Sequence, residues 1–317
     1  MRDPLKSVPI SFNTDKYLSV DTHGGVRQVT PDVWAQAMEA YQPDLCASMC
    51  DFVTDEDAKL KRIKRSVDRT LRWLDTCKSK ADSLEIPLFA PVVGSDSAEE
   101  RKRSAIETAQ RDVQGFILNV FGLKNEDLES LIRASVDQLP ASKPRLAYGL
   151  ATPENILRGV ANGIDLFDGS YAYKVTQRGH AITFKFGDQL TESSKDKQAK
   201  TLSLWRTELN RSFEPLDASC GCYSCTAPHT KAYIHHLLNA HEMLGPLLLM
   251  SHNLHQLHEF MASIRRSIEG NRFDQDVEAF LKHYEQDKDA KKDEEHSDEI
   301  DAESLGVPLK KKRTLLL

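Results

Sequence analysis

Five short apolar segments, separated by helical patterns, place the strongest constraint on the fold of this chain. They are DLCASMCD at 44–51, IPLFAPVVG at 86–94, GFILNVFG at 115–122, PRLAYGLA at 144–151 and GIDLFDG at 163–169. Continuous apolar runs of this length are typical of strands buried on both faces of a parallel sheet. Their alternation with helical patterns predicts repeated βα units between about residues 40 and 170.

The segments between these strands carry helix signals. From 55 to 80, apolar residues recur at three- and four-residue spacing, which indicates an amphipathic helix. Thr30-Pro31 and Thr152-Pro153 each place a hydroxyl before a proline, a pattern that predicts a helix N-cap followed by the first helical residue.

Five consecutive βα units favour an α/β fold of the TIM-type (β/α)8 barrel class, with an open doubly wound sheet as the alternative. No glycine-rich phosphate-binding motif follows any of these strands, and this disfavours a nucleotide-binding sheet. A closed barrel needs eight strands, whereas only weak further candidates occur, at 8–12 and 17–20. We therefore expect a barrel that lacks its N-terminal strands.

A second feature is the sequence CGCYSC, which places Cys220, Cys222 and Cys225 within six residues. The N-terminus has no apolar signal region and no apolar stretch is long enough to cross a bilayer, so we expect an intracellular protein without a transmembrane segment. Under reducing conditions such a cluster indicates a metal site rather than disulfides. Three thiolates need one more ligand to close a tetrahedral zinc site, and spacing leaves seven candidates open: His229, His235, His236, His241, His252, His255 and His258.

These features divide the chain into four predicted regions: a partial barrel at 1–187, an exposed polar loop at 188–200, a zinc-binding subdomain with closing helices at 201–270, and a charged, disordered tail at 271–317. Within the first region, TQRGHAITF at 176–184 reads as a hairpin. The formal net charge of −6 gives no general attraction to nucleic acid, so an RNA contact would need a local basic patch.

The stretch CGCYSCTAPHTKAYIHHLLNAHEMLGPLLLMSHNL resembles the zinc subdomain of the tRNA-guanine transglycosylases, with its C-x-C-x2-C pattern and a histidine just before Asn-Leu. The resemblance extends through PRLAYGLATPENILRGVANGIDLFDG and covers about residues 8–270. It implies that one zinc ion is bound by Cys220, Cys222, Cys225 and His252.

The same resemblance implies that the base-exchange site is incomplete. Asp168 occupies the position of the family's nucleophile, but the D-S-G-G-[FY]-Q segment that carries the second catalytic aspartate does not occur in this sequence. Asn119-Val120 stand in place of a glycine pair that approaches the base, and Val93 replaces the glutamine that reads it. Lys174 stands where the family has an anticodon-contacting arginine, and is a candidate RNA contact. We therefore predict no catalytic residue in this chain.

A retained zinc site with a lost base pocket is similar to the non-catalytic, accessory branch of the eukaryotic family members. That branch pairs with a catalytic queuine tRNA-ribosyltransferase subunit, which inserts queuine at the wobble position of tRNAs with GUN anticodons. The resemblance implies a heterodimer that reaches tRNA through the complex, in the cytoplasm, with peripheral association with the mitochondrial outer membrane. Two alternatives remain: an active transglycosylase with Asp168 as nucleophile, and a separate zinc-stabilised RNA-binding module.

The region 230–270 is the predicted partner interface, because its apolar positions exceed what one helix face needs for a local core. Those positions are Tyr233, Leu237, Leu244, Leu248 and Leu249. Packing against the barrel is the alternative reading of the same pattern.

Overall fold

The structure, a computed structural model, describes residues 13–22, 25–53, 58–120, 123, 127–150, 152–190, 198–227 and 229–284. The chain divides into two units, Met1–Asp168 and Gly169–Leu317. The four regions predicted from the sequence place their first boundary later, after residue 187, and as domain limits they stay a prediction.

The first unit contains the predicted parallel sheet. An antiparallel hairpin of β1 (Leu18–Thr22) and β2 (Gly25–Val29) comes first along the chain. The parallel sheet then follows in the sequential order β3-β4-β5-β6-β7. Its strands are β3 (Cys46–Ala47), β4 (Leu88–Val92), β5 (Gly115–Asn119), β6 (Arg145–Tyr148) and β7 (Leu166–Phe167).

The sequential strand order decides between the two predicted sheet types. In a doubly wound sheet the strand order reverses at a switch point, whereas in a (β/α)8 barrel each strand pairs with the next along the chain. All four pairings from β3 to β7 are parallel and join consecutive strands. The prediction of a partial TIM-type barrel is therefore confirmed over the described residues.

Five helices accompany these strands: α1 (Pro31–Tyr41), α2 (Leu60–Ser83), α3 (Ala98–Ala109), α4 (Leu128–Val136) and α5 (Pro153–Ala161). Both predicted N-caps are confirmed, since the Thr30 hydroxyl accepts from the Val33 amide and the Thr152 hydroxyl from the Asn155 amide. The predicted stripe of α2 is buried from Ile63 onward, but Leu60, at the start of the helix, is 48% exposed.

The core of the first unit lies between the sheet and its helices. Every residue of β4 is buried, and β5 is buried except at its last residue, which explains the continuous apolar patterns of both segments. A Cβ on Gly115 would come within 2.5 Å of the Phe89 ring on the neighbouring strand. Only glycine fits this register, because the aromatic ring occupies the space of any larger side chain.

The second unit begins with α6 (Ser170–Gln177), followed by β8 (His180–Ile182) and β9 (Thr201–Ser203), and then by α7 (Tyr223–Thr226), α8 (Lys231–Asn239), α9 (Leu244–Glu269) and α10 (Phe273–His283). The predicted hairpin within 176–184 is wrong, because β8 pairs antiparallel with β9 beyond the polar segment. Gly179, with φ 67°, follows the end of α6. A glycine in this left-handed conformation commonly ends a helix. Gly179 therefore belongs to the end of α6 and does not form the turn of a hairpin.

Helix α10 corrects the prediction of a disordered tail from residue 271. Phe280 is fully buried and packs edge-on against Phe184 at 5.7 Å between ring centroids, and it lies 6.0 Å from Phe260. The high charge of the surrounding sequence concealed this anchor. Residues 285–317, like 191–197 of the predicted loop and the weak strand candidate at 8–12, lie outside the described residues.

In the described ranges, every helix is too short or too polar to cross a membrane.

Candidate metal centre and the carboxyl edge of the parallel sheet

Three cysteines and one histidine converge in the second unit. The ligand atoms of Cys220, Cys222, Cys225 and His252 all lie within 4.8 Å of one another. Cys222 directly precedes α7 and Cys225 lies inside it, so one helical turn brings both sulfurs to the same side. The hydroxyl of Ser224, between them, donates to the Leu248 carbonyl at 2.7 Å, and this bond holds α7 against α9.

The orientation of His252 suits it to metal binding. The residue is fully buried in α9, and its Nε2 donates to the Ile182 carbonyl at 2.9 Å. Because Nε2 carries the proton that this bond needs, Nδ1 of the neutral imidazole has no proton and can offer its lone pair to a metal ion. Nδ1 lies 3.7, 3.6 and 3.4 Å from the sulfurs of Cys220, Cys222 and Cys225, respectively.

The neighbouring Asn253 fixes the same helix to strand β8. Its side-chain oxygen accepts from the Ile182 amide at 2.8 Å, and its nitrogen donates to the His180 carbonyl at 2.9 Å. His252 therefore binds the carbonyl of Ile182 and Asn253 binds its amide. These two bonds to one strand residue give a structural reason for the His-Asn pair in the sequence.

These distances match those of a tetrahedral site. With zinc bond lengths of about 2.3 Å to sulfur and 2.05 Å to nitrogen, tetrahedral geometry places the nitrogen about 3.6 Å from each sulfur. Burial raises the pKa values of the Cys222 and Cys225 thiols and lowers that of His252, so metal binding must displace thiol protons. The four residues could hold one metal ion, and as a complete set of four they would leave no ligand position for a substrate.

The structure selects one histidine among the seven candidates. His235 lies on α8, where its Nδ1 is 2.6 Å from the Leu204 carbonyl, and His229 stacks on the ring of Tyr233 at 5.7 Å. In the parts of the chain that the structure describes, the cluster with His252 is the one group of this kind. The ligand set expected from the resemblance is the set whose atoms meet.

Asp168 directly follows β7, at the carboxyl edge of the parallel sheet where barrel enzymes place their catalytic groups. Its carboxylate accepts from the Gly149 amide at 3.4 Å. Burial and the nearby Asp168 raise the pKa of Tyr148. Lys174, the candidate RNA contact, lies in α6 of the second unit and is partly buried; its role stays a prediction.

The two valines expected at the base-recognition positions are core residues. Val93 is 4% exposed and packs with Val67 and Leu71. Val120 is 2% exposed and belongs to the main core of the first unit. At these two positions the side chains therefore provide packing and no hydrogen-bonding group.

Sequence reasoning missed a buried arginine at the same edge. Arg101 of α3 is 1% exposed; its Nε donates to the Ser95 carbonyl at 2.5 Å, and a terminal nitrogen donates to the Asn119 carbonyl at 2.8 Å. Burial lowers the pKa of Arg101 to about 10. The guanidinium therefore ties the segment after β4 to the end of β5.

A buried carboxylate after β3 was also missed. Asp51 is fully buried and accepts from both terminal nitrogens of Arg62, at 2.8 and 2.7 Å, and from Arg69 at 2.5 Å. Asn13 donates to it at 2.6 Å. The available signal was the seven-residue spacing of the two arginines, which puts both on one face of α2.

Together, these observations define a partial TIM-type barrel protein with a subdomain whose Cys3His cluster could hold a metal ion. The chain belongs to the queuine tRNA-ribosyltransferase family, whose model matches residues 6–286.

Curated relatives agree with this assignment and carry the name queuine tRNA-ribosyltransferase accessory subunit 2. The protein from Ixodes scapularis is 37% identical over 288 residues, covering 84% of this chain and 72% of the relative. The protein from Xenopus tropicalis is 35% identical, and the match covers 84% of this chain and 72% of the relative. The protein from Homo sapiens is 33% identical, with 87% of this chain and 75% of the relative covered. The predicted resemblance to the accessory branch is thus confirmed.

Proposed function

We propose that this chain is the non-catalytic subunit of a queuine tRNA-ribosyltransferase. It supports a catalytic partner that exchanges guanine for queuine at the wobble position of tRNAs with GUN anticodons. The observation that carries the proposal is the apolar packing of Val93 and Val120 at the carboxyl edge of the sheet. The name of the curated relatives, accessory subunit 2, agrees with it.

The physical argument concerns the base. A guanine or queuine ring carries several hydrogen-bonding groups, and burying each without a partner costs about 1–3 kcal/mol. Valine side chains offer no such partner. General acid/base assistance is worth a further factor of about 100 to 10,000 in rate. A carboxylate such as Asp168, without base-reading groups, is not sufficient for exchange.

The metal expected at the Cys3His cluster is one zinc ion per chain. Three cysteines and one histidine are a common donor set for structural zinc. When bound, such an ion cross-links its four ligands and supplies folding free energy. The protein side chains position it: Ser224 holds α7 against α9, and the bond from His252 to Ile182 attaches both to β8.

Exposed apolar side chains of the second unit are the proposed surface for the catalytic subunit. Of the five positions predicted from the sequence, Leu237, Leu248 and Leu249 are buried in the local core, and only Tyr233 and Leu244 are exposed. We define the apolar surface as five exposed side chains of the second unit: Phe213 (79%), Tyr223 (67%), Tyr233 (39%), Met243 (82%) and Leu247 (64%).

Two observations favour this surface as a docking site. Large apolar side chains exposed on one unit are typical of protein interfaces, where aromatic residues and methionine are enriched. Tyr223, His229 and Tyr233 form a continuous series of ring contacts, at 5.6 and 5.7 Å between centroids. A rigid aromatic series can bury area at low cost in conformational entropy.

The position of Asp168 favours a second candidate function, an active transglycosylase in which this carboxylate is the nucleophile. It follows a barrel strand at the edge where catalytic groups lie. The two functions make opposite predictions for the chain on its own, so one assay separates them.

The test is incorporation of labelled queuine into tRNA by this chain alone, by the catalytic subunit alone, and by both together. We expect none from the chain alone, and more from both proteins than from the catalytic subunit alone. Incorporation by the chain alone that disappears in Asp168→Asn would establish the second candidate. Tight binding of tRNA by the chain without a partner, and no effect on exchange, would instead indicate a separate RNA-binding module.

A further inference from the structure

The start of α2 carries an unusual concentration of positive charge. The sequence KLKRIKR, residues 59–65, has five basic residues in seven, in a chain of net charge −6. Lys59, Lys61, Lys64 and Arg65 are exposed, whereas Arg62 bends back to the buried Asp51. We name these four exposed residues the basic face of α2: Lys61, Lys64 and Arg65 lie within about 100° of one another around the helix axis, and Lys59 is the N-cap just before them.

The ion pairs that α2 makes within the described residues do not involve the basic face. Its acidic residues are each paired: Asp68 with Arg103 at 2.8 Å, Asp75 with Arg111 at 2.8 Å and Asp82 with Lys78 at 2.5 Å. Among the described residues, no carboxylate lies within salt-bridge distance of a side chain of the basic face. Residues 54–57, just before it in the chain, are not among the described residues. The acidic residues of α2 itself therefore do not neutralise the basic face, and three further acidic residues, Asp55, Glu56 and Asp57, precede it in the sequence.

This arrangement opposes the stability of the helix. The N-terminus of a helix favours acidic residues, yet the first turn of α2 has none, and Lys59 makes no side-chain capping hydrogen bond. Lys61 and Arg65 are four residues apart, a spacing at which like charges repel. Local choices that disfavour the fold without a compensating contact are expected where a side chain serves a function.

A polyanion would compensate all of these charges at once. The basic face contains no aromatic residue, and its members lie within about 9 Å along the helix axis, which suits contacts to successive phosphates rather than to bases. Phosphate contacts position a nucleic acid without reading its sequence. RNA is thus the partner that fits a purely cationic helix face on a subunit of a tRNA-modifying enzyme.

We propose that Lys59, Lys61, Lys64 and Arg65 contact the phosphate backbone of the tRNA that the complex binds. The inference rests on the proposed function, because it needs a tRNA-bound complex of this chain with a catalytic subunit. It assigns the first unit, which has lost its base pocket, a role in holding the RNA.

The test compares two double variants in the complex with the catalytic subunit. Lys61→Glu with Arg65→Glu reverses two charges of the basic face, and Arg265→Glu with Lys282→Glu reverses one lysine and one arginine exposed in the second unit. Glutamate suits the start of a helix, so the first variant should keep or raise the thermal midpoint. Affinity for tRNA is measured by fluorescence anisotropy between about 50 and 200 mM salt, a range in which phosphate contacts dominate binding.

For the first variant we expect about tenfold weaker binding or more, with queuine exchange retained at saturating tRNA. The slope of log affinity against log salt should become shallower by about 1.4 to 1.8, because each phosphate contact contributes about 0.7 to 0.9. The control variant should match the unmodified chain in both measurements.

Unchanged affinity and slope in the first variant, with a working unmodified complex, would refute this inference and leave the proposed function intact. Loss of the catalytic subunit with tRNA binding retained would show that the basic face binds protein, and would also refute it. If the unmodified chain neither binds the catalytic subunit nor increases exchange, the proposed function fails and the inference fails with it.

Discussion

The two units of the chain treat their polar residues differently. At the carboxyl edge of the sheet in the first unit, Val93 and Val120 are part of the core, and the buried carboxylate of Asp51 is fully engaged by Arg62 and Arg69. In the second unit, three thiols and an imidazole meet at ligand distances. Val93 and Val120 in the first unit thus serve packing, whereas the second unit holds a complete donor set. Under the proposed function, assembly and RNA support need the donor set of the second unit and no base pocket in the first.

The units also differ in how their stability is distributed. The core of the first unit draws on helices and strands from Trp34 to Ile164, so most single changes there remove a small part of a large total. The second unit has a local core around α8 and α9 and an aromatic cluster of Phe184, Phe260 and Phe280, but its Cys3His cluster is held by a few connections between α7, α9 and β8. Single substitutions should therefore act very differently in the two.

The largest effect is expected for Cys222→Ser. Removing one thiolate should abolish stoichiometric zinc and cost several kcal/mol, because structural zinc contributes about 10–16 kcal/mol of apparent binding free energy in small zinc domains. Metal content is measured by elemental analysis and stability by thermal unfolding. Cys46→Ala, at a buried cysteine of the first unit, serves as the control and should retain its metal. Full metal occupancy in Cys222→Ser would disprove the ligand assignment.

A smaller loss is expected for Asp51→Ala. This change leaves Arg69, whose side chain is 11% exposed, without its buried partner, and breaking a buried ion pair costs about 3–5 kcal/mol. The metal should remain bound, since the change lies in the other unit. Chemical denaturation with parallel metal analysis makes the measurement. Asp15→Ala removes a 70% exposed partner of the same arginine and should change stability little; equal losses for both would contradict the buried-pair argument.

Charged substitutions on the apolar surface test whether the second unit, and not the first, binds the catalytic subunit. Tyr233→Glu with Leu247→Glu should abolish co-purification with the catalytic subunit, because two charges would have to be desolvated in the interface. Zinc content should stay unchanged, and the thermal midpoint should fall only by what the lost ring contact between Tyr233 and His229 contributes. The matched control, Tyr41→Glu with Val26→Glu, changes residues of the first unit that are 80% and 67% exposed. If both pairs co-purify normally, the interface lies elsewhere.

The smallest effect is expected for Asp168→Asn. Because the proposed function gives this carboxylate no chemical role, the variant should support a catalytic partner within about twofold of the unmodified chain, and a factor of two corresponds to only about 0.4 kcal/mol. The measurement is the initial rate of queuine incorporation by the complex. A fall of tenfold or more, with the complex intact, would give Asp168 a role in catalysis.

Local patterns in the sequence were sufficient for the elements of the first unit. The strands β4 and β5 are recognisable because both faces are buried, which removes polar residues from the segment. Thr30 and Thr152 mark their helix starts because an N-cap depends on the next three residues alone. The close spacing of Cys220, Cys222 and Cys225 indicated a metal site for a similar reason, since those ligands are neighbours in the chain.

Tertiary structure decided what depends on residues far apart in the chain. Sequence spacing left seven histidines open, and His252 is the one that the packing of α9 on β8 brings to the sulfurs. β8 finds its partner strand about 20 residues away, and α10 is anchored through the burial of Phe280. The pairing of Asp51 with Arg62 and Arg69 likewise forms only when α2 packs against the segment after β3, where Ser66 and Thr70 bond to the Asp51 backbone. Local periodicity encodes which element forms, but the free energy that selects partners between elements comes from burial and desolvation, and these exist only in the folded chain.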